Sequence, residues 1–152
     1  MSDQGLNFRT ADADDAPAVR ELTRAAYSKW IPLLGREPLP MVADYDAAVL
    51  KHRIDLAYAS DQFVGLIEMI MEPEHLLIEN VAIHPDHQGQ GFGRALLLHA
   101  ETVAKIRNKP AIRLYTNGLF VANISLYLMC GYKIDRHEAF RGGTMVYMSK
   151  CL

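Results

Sequence analysis

Cysteine is scarce: only Cys130 and Cys151 occur in 152 residues. Two thiols, one beside the last residue, cannot build the disulfide framework of a small secreted scaffold. Long apolar runs are missing too. Ala95–Leu98 and Phe63–Ile67 fall far short of the ~20 residues that cross a bilayer. Charge of one sign is not in excess, with 16 Lys+Arg against 18 Asp+Glu and a formal net charge of −2. That balance leaves no electrostatic footprint for nucleic acid, and no basic block suits an anionic membrane. Met1-Ser2-Asp3-Gln4 is polar and acidic and does not read as a secretory signal. These absences lead us to expect a cytoplasmic protein without nucleic-acid or membrane partners.

Half of the residues are hydrophobic and 22% are charged, which excludes disordered and fibrous classes. The length suits one domain, 1–152, with a core of its own. Leu6–Thr10 alternates as a strand does. Asp14 and Asp15 before Pro17 mark a helix start, and Val19, Leu22, Ala26 and Trp30 follow at helical spacing. Pro32, Pro38 and Pro40 then predict an irregular loop around Gly35-Arg36-Glu37, before a short helix over Asp44–Arg53. Leu56–Ser60 and Phe63–Met71 flank Asp61-Gln62 as a hairpin. Leu76–Ile83 is nearly all apolar, as in a central strand covered on both faces. The polar loop His84–Gly91 opens a long helix striped by Phe92, Leu96, Ala100 and Val103, which Pro110 stops. A strand over Ala111–Thr116 and a helix over Phe120–Met129 follow, with Gly131 as its left-handed cap. Two strands flanking Gly142-Gly143 close the chain. The order β-α-α-β-β-β-α-β-α-β-β predicts an α/β sandwich around one mixed sheet.

Chemistry concentrates in His84-Pro85-Asp86-His87-Gln88-Gly89-Gln90-Gly91-Phe92-Gly93-Arg94. Glycines at alternate positions let backbone N–H groups turn toward an anion and let it approach closely. The helix start beyond adds unpaired donors and partial positive charge. The pattern predicts a phosphate or pyrophosphate site in preference to a merely flexible turn. A Walker loop would need Gly-Lys-Ser/Thr at its end, which Gly93-Arg94 does not supply. A dinucleotide fingerprint would need glycine where Arg94 stands, and it belongs in the first βαβ unit.

Gln88-x-x-Gly91-x-Gly93 after Glu79-Asn80-Val81-Ala82-Ile83 resembles the acetyl-CoA signature of the GNAT N-acetyltransferase superfamily. Asn123-Ile124-Ser125-Leu126-Tyr127 with Gly131-Tyr132 is similar to its second signature, and the element order agrees over nearly the whole chain. The resemblance implies a GNAT-like three-layer sandwich. Its mixed, mostly antiparallel sheet splays between a fourth strand, here Leu76–Ile83, and a fifth, here Ala111–Thr116. It implies acetyl-CoA as cosubstrate, with the pantetheine arm in that wedge against Val81, Ala82 and Ile83. The pyrophosphate would lie on the amides of Gln88, Gly89, Gln90, Gly91, Phe92, Gly93 and Arg94. The chain departs from the family in one place: Phe120 stands where an Asn is frequent, and Asn123, one helical turn before Tyr127, is the substitute. The acceptor would be a small-molecule or peptide amine, and a homodimer is compatible with the family.

Transfer of acetyl to an amine requires a base for the amine, an oxyanion donor and an acid for the thiolate. Tyr127 matches the family's acid, and a phenol stays protonated near neutral pH. The backbone near Val81 suits the oxyanion. Glu79, an acid in an apolar strand, is the base expected, with Glu68 second. Each of these residues also has a packing or salt-bridging interpretation, and a CoA-binding sensor without catalysis is the alternative function. His75, His84 and His87 lack the spacing and number of a metal site, so no metal is expected. Cys130 reads as a small core residue. Tyr27, Trp30 and Tyr45 are candidates for an aromatic acceptor wall, and Asp44 and Asp46 would suit a cationic amine.

Overall fold

The computed structural model describes residues 5–152, so the expectation for Met1–Gln4 lies outside the described residues. Its strands are β1 (Leu6–Thr10), β2 (Arg53–Ala59), β3 (Gln62–Met71), β4 (Leu76–Ile83), β5 (Ala111–Asn117), β6 (Lys133–Phe140) and β7 (Gly143–Cys151). Its helices are α1 (Ala16–Tyr27), α2 (Ile31–Leu34), α3 (Leu39–Val42), α4 (Tyr45–Lys51), α5 (Phe92–Ile106) and α6 (Val121–Met129). The strands form one sheet in the order β1-β2-β3-β4-β5-β7-β6, in which only β4 and β5 run parallel.

Strand alternation sends successive side chains to opposite faces, and the helices cover both. On one face Val19, Leu22 and Ala26 of α1 and Tyr45 of α4 pack on Ile54, Leu56, Leu66 and Ala82. On the other, Leu96, Leu97, Ala100 and Val103 of α5 pack on Val64, Ile67, Met69 and Ile112. Each such fully buried aliphatic side chain contributes about 1.5–3 kcal/mol relative to exposure. Asp44 caps α4 by accepting from the Ala47 N–H at 3.2 Å.

Three local expectations change. β2 begins at Arg53, not Leu56, and α4 stops at Lys51. The polar letters Arg53 and Asp55 concealed this start, because Asp55 is 1% exposed and satisfied by side chains. It accepts from Thr10 Oγ1 at 2.8 Å and Arg53 Nε at 3.1 Å, and pairs with His99 Nε2 at 2.7 Å. The α1 helix ends at Tyr27, and Ser28–Trp30 forms one 3₁₀ turn. The proline-rich loop holds the short helices α2 and α3, each with proline in its first turn.

Two departures from regular pairing shape the centre of the sheet. β4 and β5 pair only from Leu76–Ile78 to Ile112–Leu114, after which β5 stays with β7 and β4 with β3. A bulge also interrupts the β3–β4 ladder: Asn80 pairs with Glu68 and Ile78 with Met69, leaving Glu79 between them. The extra residue reverses the alternation. Leu76 and Ile78 pack in the α5-side core with Val81 and Ile83, while Asn80 and Ala82 face α1.

Candidate active site

The parting of β4 and β5 leaves two cavities that meet at its bottom. The first, about 420 Å³, runs along Val81, Ala82 and Ile83 to the glycine loop and the first turn of α5. The second, about 430 Å³, opens between the Leu34–Lys51 region, the Glu79 bulge and β5. Tyr27, Val81 and Tyr127 line both.

Backbone conformation makes the first cavity. Gly89 and Gly91 have φ of +78° and +84°, where a side chain would be strained. No atom beyond its chain neighbours lies within 4 Å of where a Cβ on Gly89 would sit, so the loop's face is open to a ligand. Gly93 serves differently: a Cβ there would meet Leu126 of α6 at 3.0 Å, so this glycine permits α5 and α6 to pack closely. Gln88, Phe92, Arg94 and Asn123 also line the cavity, whereas Gln90 does not and points to solvent. Gln88 is tied on both sides, donating to the Ile83 carbonyl at 3.0 Å and accepting from Lys29 Nζ at 3.0 Å. Lys29 was not evident from its neighbours in sequence. It brings a second cation beside Arg94, and burial lowers its pKa.

Side chains from distant elements make the second cavity. Glu79 accepts from the Tyr115 hydroxyl at 2.7 Å. Glu68, 4% exposed, pairs with His52 Nδ1 at 2.6 Å. Burial pushes the Glu68 carboxyl up, and His52 only partly offsets this, while neighbouring Glu79 adds to the rise. Buried Asn80 knits the walls together: its Oδ1 accepts from Tyr27 at 3.0 Å, and its Nδ2 donates to Thr23 and Tyr45, each at 3.3 Å. Tyr45 in turn donates to the Pro40 carbonyl at 2.7 Å, fixing the proline-rich loop over the cavity. None of Asn80, His52 and Tyr115 was singled out from the sequence; Asn80, polar within an apolar strand, carried a signal that could have found it, and the other two carried none.

Tyr127 is buried, and its hydroxyl forms no hydrogen bond among the described residues while lining both cavities. Burial, with a smaller influence from Cys130, pushes its pKa up to about 12, so it is a proton-bearing phenol near neutral pH. The aromatic residues divide. Tyr27 and Tyr45 line the second cavity, while Trp30 lines the first and stacks on Phe120 at 4.5 Å between centroids. Phe120 thus fills an apolar wall in place of a polar contact. Burial raises the pKa of the Cys130 thiol, in keeping with a packed thiol.

A mixed sheet parted between a parallel strand pair, with a glycine loop and helix start at the parting, is the α/β architecture that the resemblance to GNAT N-acetyltransferases implies. The family model described as Acetyltransferase (GNAT) family matches residues 16–132, and the chain belongs to that family. The curated "Uncharacterized N-acetyltransferase YvbK" of Bacillus subtilis (strain 168) is 32% identical over 87 residues, 55% of this chain and 56% of that protein. The match thus spans about half the length of this curated relative. Among solved structures, the PaiA N-acetyltransferase of Thermoplasma acidophilum in complex with coenzyme A superposes with a TM-score of 0.82. It is 19% identical, and the match covers 97% of this chain and 99% of that one. A GNAT family acetyltransferase of Elizabethkingia anophelis with acetyl-CoA bound gives 0.73 at 18% identity, with 97% and 99% covered.

Proposed function

We propose that this protein is an acetyl-CoA-dependent N-acetyltransferase in which a primary amine attacks the acetyl group directly. The observation that carries this is the meeting of two cavities at Tyr127, one built for an extended anionic cosubstrate and one holding carboxylates. The edge of β4 that β5 leaves beyond Ile78, the open glycine loop and the cations Lys29 and Arg94 fit CoA. The relatives crystallised with CoA and acetyl-CoA support the same assignment. The cosubstrate supplies the acetyl group as a thioester, whose C–S bond breaks as the amide forms.

The residues then divide the work. Val81, Ala82 and Ile83 hold the pantetheine arm, and the amides of Gly89, Gly91, Phe92, Gly93 and Arg94 hold the pyrophosphate, Gln88 having its N–H on the Pro85 carbonyl and Gln90 lying outside the cavity. A backbone N–H near Val81 polarises the thioester carbonyl. Glu79 takes the proton released by the amine, and Tyr127 donates one to the departing sulfur. Tyr115 holds the Glu79 carboxylate in place.

The test is a panel of primary amines with acetyl-CoA, reading released thiol, beside calorimetric titration with CoA. Turnover with at least one amine is expected. CoA binding without turnover or thioester hydrolysis on any amine would favour a CoA-binding sensor instead.

A further inference from the structure

We propose, resting on the acyl-transfer function, that the acceptor is a compact monoamine with an apolar body. Its ammonium sits between Glu68 and Glu79, and it carries neither a carboxylate nor a second ammonium.

Two adjacent carboxylates, buried Glu68 and half-buried Glu79, are the acidic groups of the acceptor cavity that are not solvent-exposed. The bulge puts Glu79 beside Asn80, whose ladder partner is Glu68, and both carboxylates line the same space. Each is half-satisfied. Glu68 Oε2 is held by His52 and Glu79 Oε1 by Tyr115. Among the described residues no hydrogen bond reaches Glu68 Oε1 or Glu79 Oε2. Two free acceptor oxygens of like charge suit one ammonium, which donates to both and relieves their repulsion.

Much of the remaining lining is apolar, with Leu34, Leu39, Pro40, Leu114, Phe120 and Met145, and its uncharged polar groups are Asn80, Thr116, Asn117 and tyrosines. A second ammonium among these groups would give up its water without a second carboxylate pair to meet it. An amino acid's carboxylate would lie beside two carboxylates, and the cavity's His52 already has its Nδ1 engaged by Glu68. The remaining charged lining residues, Arg36, Asp44 and Lys51, are solvent-exposed. At about 430 Å³ the cavity is at the small end of small-molecule sites, which suits a compact body.

Matched pairs test each clause. 2-Phenylethylamine and phenylalanine differ by a carboxylate; pentylamine and 1,5-diaminopentane differ by a second ammonium. We expect kcat/KM by thiol release to favour the first of each pair by at least about tenfold, the size of one lost charged contact. Ligand-observed NMR on the protein with CoA bound should give the same order of amine binding. Equal or reversed preference in either pair overturns the proposal. If no amine turns over although CoA binds, the acyl-transfer function fails, and the NMR order alone decides acceptor recognition. Glu68→Gln, checked for folding by thermal melt, should raise KM for 2-phenylethylamine about tenfold with CoA affinity unchanged. An unchanged KM removes Glu68 from the ammonium site.

Discussion

The two cavities are nearly equal in volume, about 420 and 430 Å³, yet they are made of different material. The first, proposed for the cosubstrate, is shaped largely by backbone: the β4 edge that β5 leaves, two glycines at positive φ and a helix start, mostly within Val81–Arg94. The second, proposed for the acceptor, is shaped by side chains, with His52, Glu68, Glu79 and Tyr115 drawn from separate elements. On the proposed function, a surface of amides would recognise the cosubstrate. A surface of side chains changes with each substitution, so it can specialise. The divide predicts different consequences for mutation on each side.

Tyr127 belongs to both cavities, and its loss should have the largest effect. Tyr127→Phe keeps the ring and removes the hydroxyl. Turnover should fall by roughly 10²- to 10⁴-fold, the usual size of general acid catalysis, with CoA affinity little changed. A single-turnover measurement checks that chemistry is limiting; an unaltered rate there would reassign Tyr127 to packing.

Glu79→Gln acts on the acceptor side alone. A loss of roughly 10²-fold is expected at low pH, where little amine is already neutral. Part of the rate should return as rising pH deprotonates the amine without help. The pH–rate profiles of variant and wild type decide the matter. Parallel profiles would take Glu79 out of the mechanism and leave Glu68 or ordered water.

Gly91→Val acts on the cofactor side alone. At φ of +84° a β-branched residue is strained by about 1–3 kcal/mol. If that strain moves the loop, CoA affinity drops by about tenfold or more. Titration with CoA reads this directly. A variant that folds and binds CoA like wild type would break the contrast, since the loop would then not be the site.

The same divide explains what could be read in advance. Backbone-made features leave a local trace, and Gly89-x-Gly91 after an apolar strand was enough to pick out the loop that lines the first cavity. The mixed, mostly antiparallel sheet and the parting of β4 from β5 came with the family likeness, whereas the placing of β7 between β5 and β6 was not read from the sequence. The bulge at Glu79 left no trace, because pairing register depends on β3 as well as β4. His52 and Tyr115 were illegible for a related reason: each matters only through a partner brought near by the sheet. Arg53 and Asp55 misled, since a strand that buries a satisfied carboxylate does not look like one.

Asp55 supplies a control for the two cavities, because it lines neither. Burial alone would raise its pKa, but hydrogen bonds from His99, Arg53 and Thr10 outweigh that and hold the carboxyl below its ordinary value. A carboxyl depressed in the folded state binds protons more weakly there than in the unfolded chain. Its stabilisation is therefore present above the unfolded value of about 4 and is lost as pH falls through the folded value. Asp55→Asn leaves Arg53 and His99 facing a neutral group in a nearly sealed site. Breaking one partner of such a pair costs about 3 kcal/mol. Thermal melts near neutral pH should show the variant several degrees lower, and the gap to wild type should narrow below pH ~4. Turnover per folded molecule, amine KM and CoA affinity should all stay at wild-type values. A melting temperature unchanged near neutral pH would mean that the Asp55 contacts stabilise nothing. A fall in turnover at full folding would mean that the sheet transmits changes to the cavities, and that neither side of the site is independent of the core beneath it.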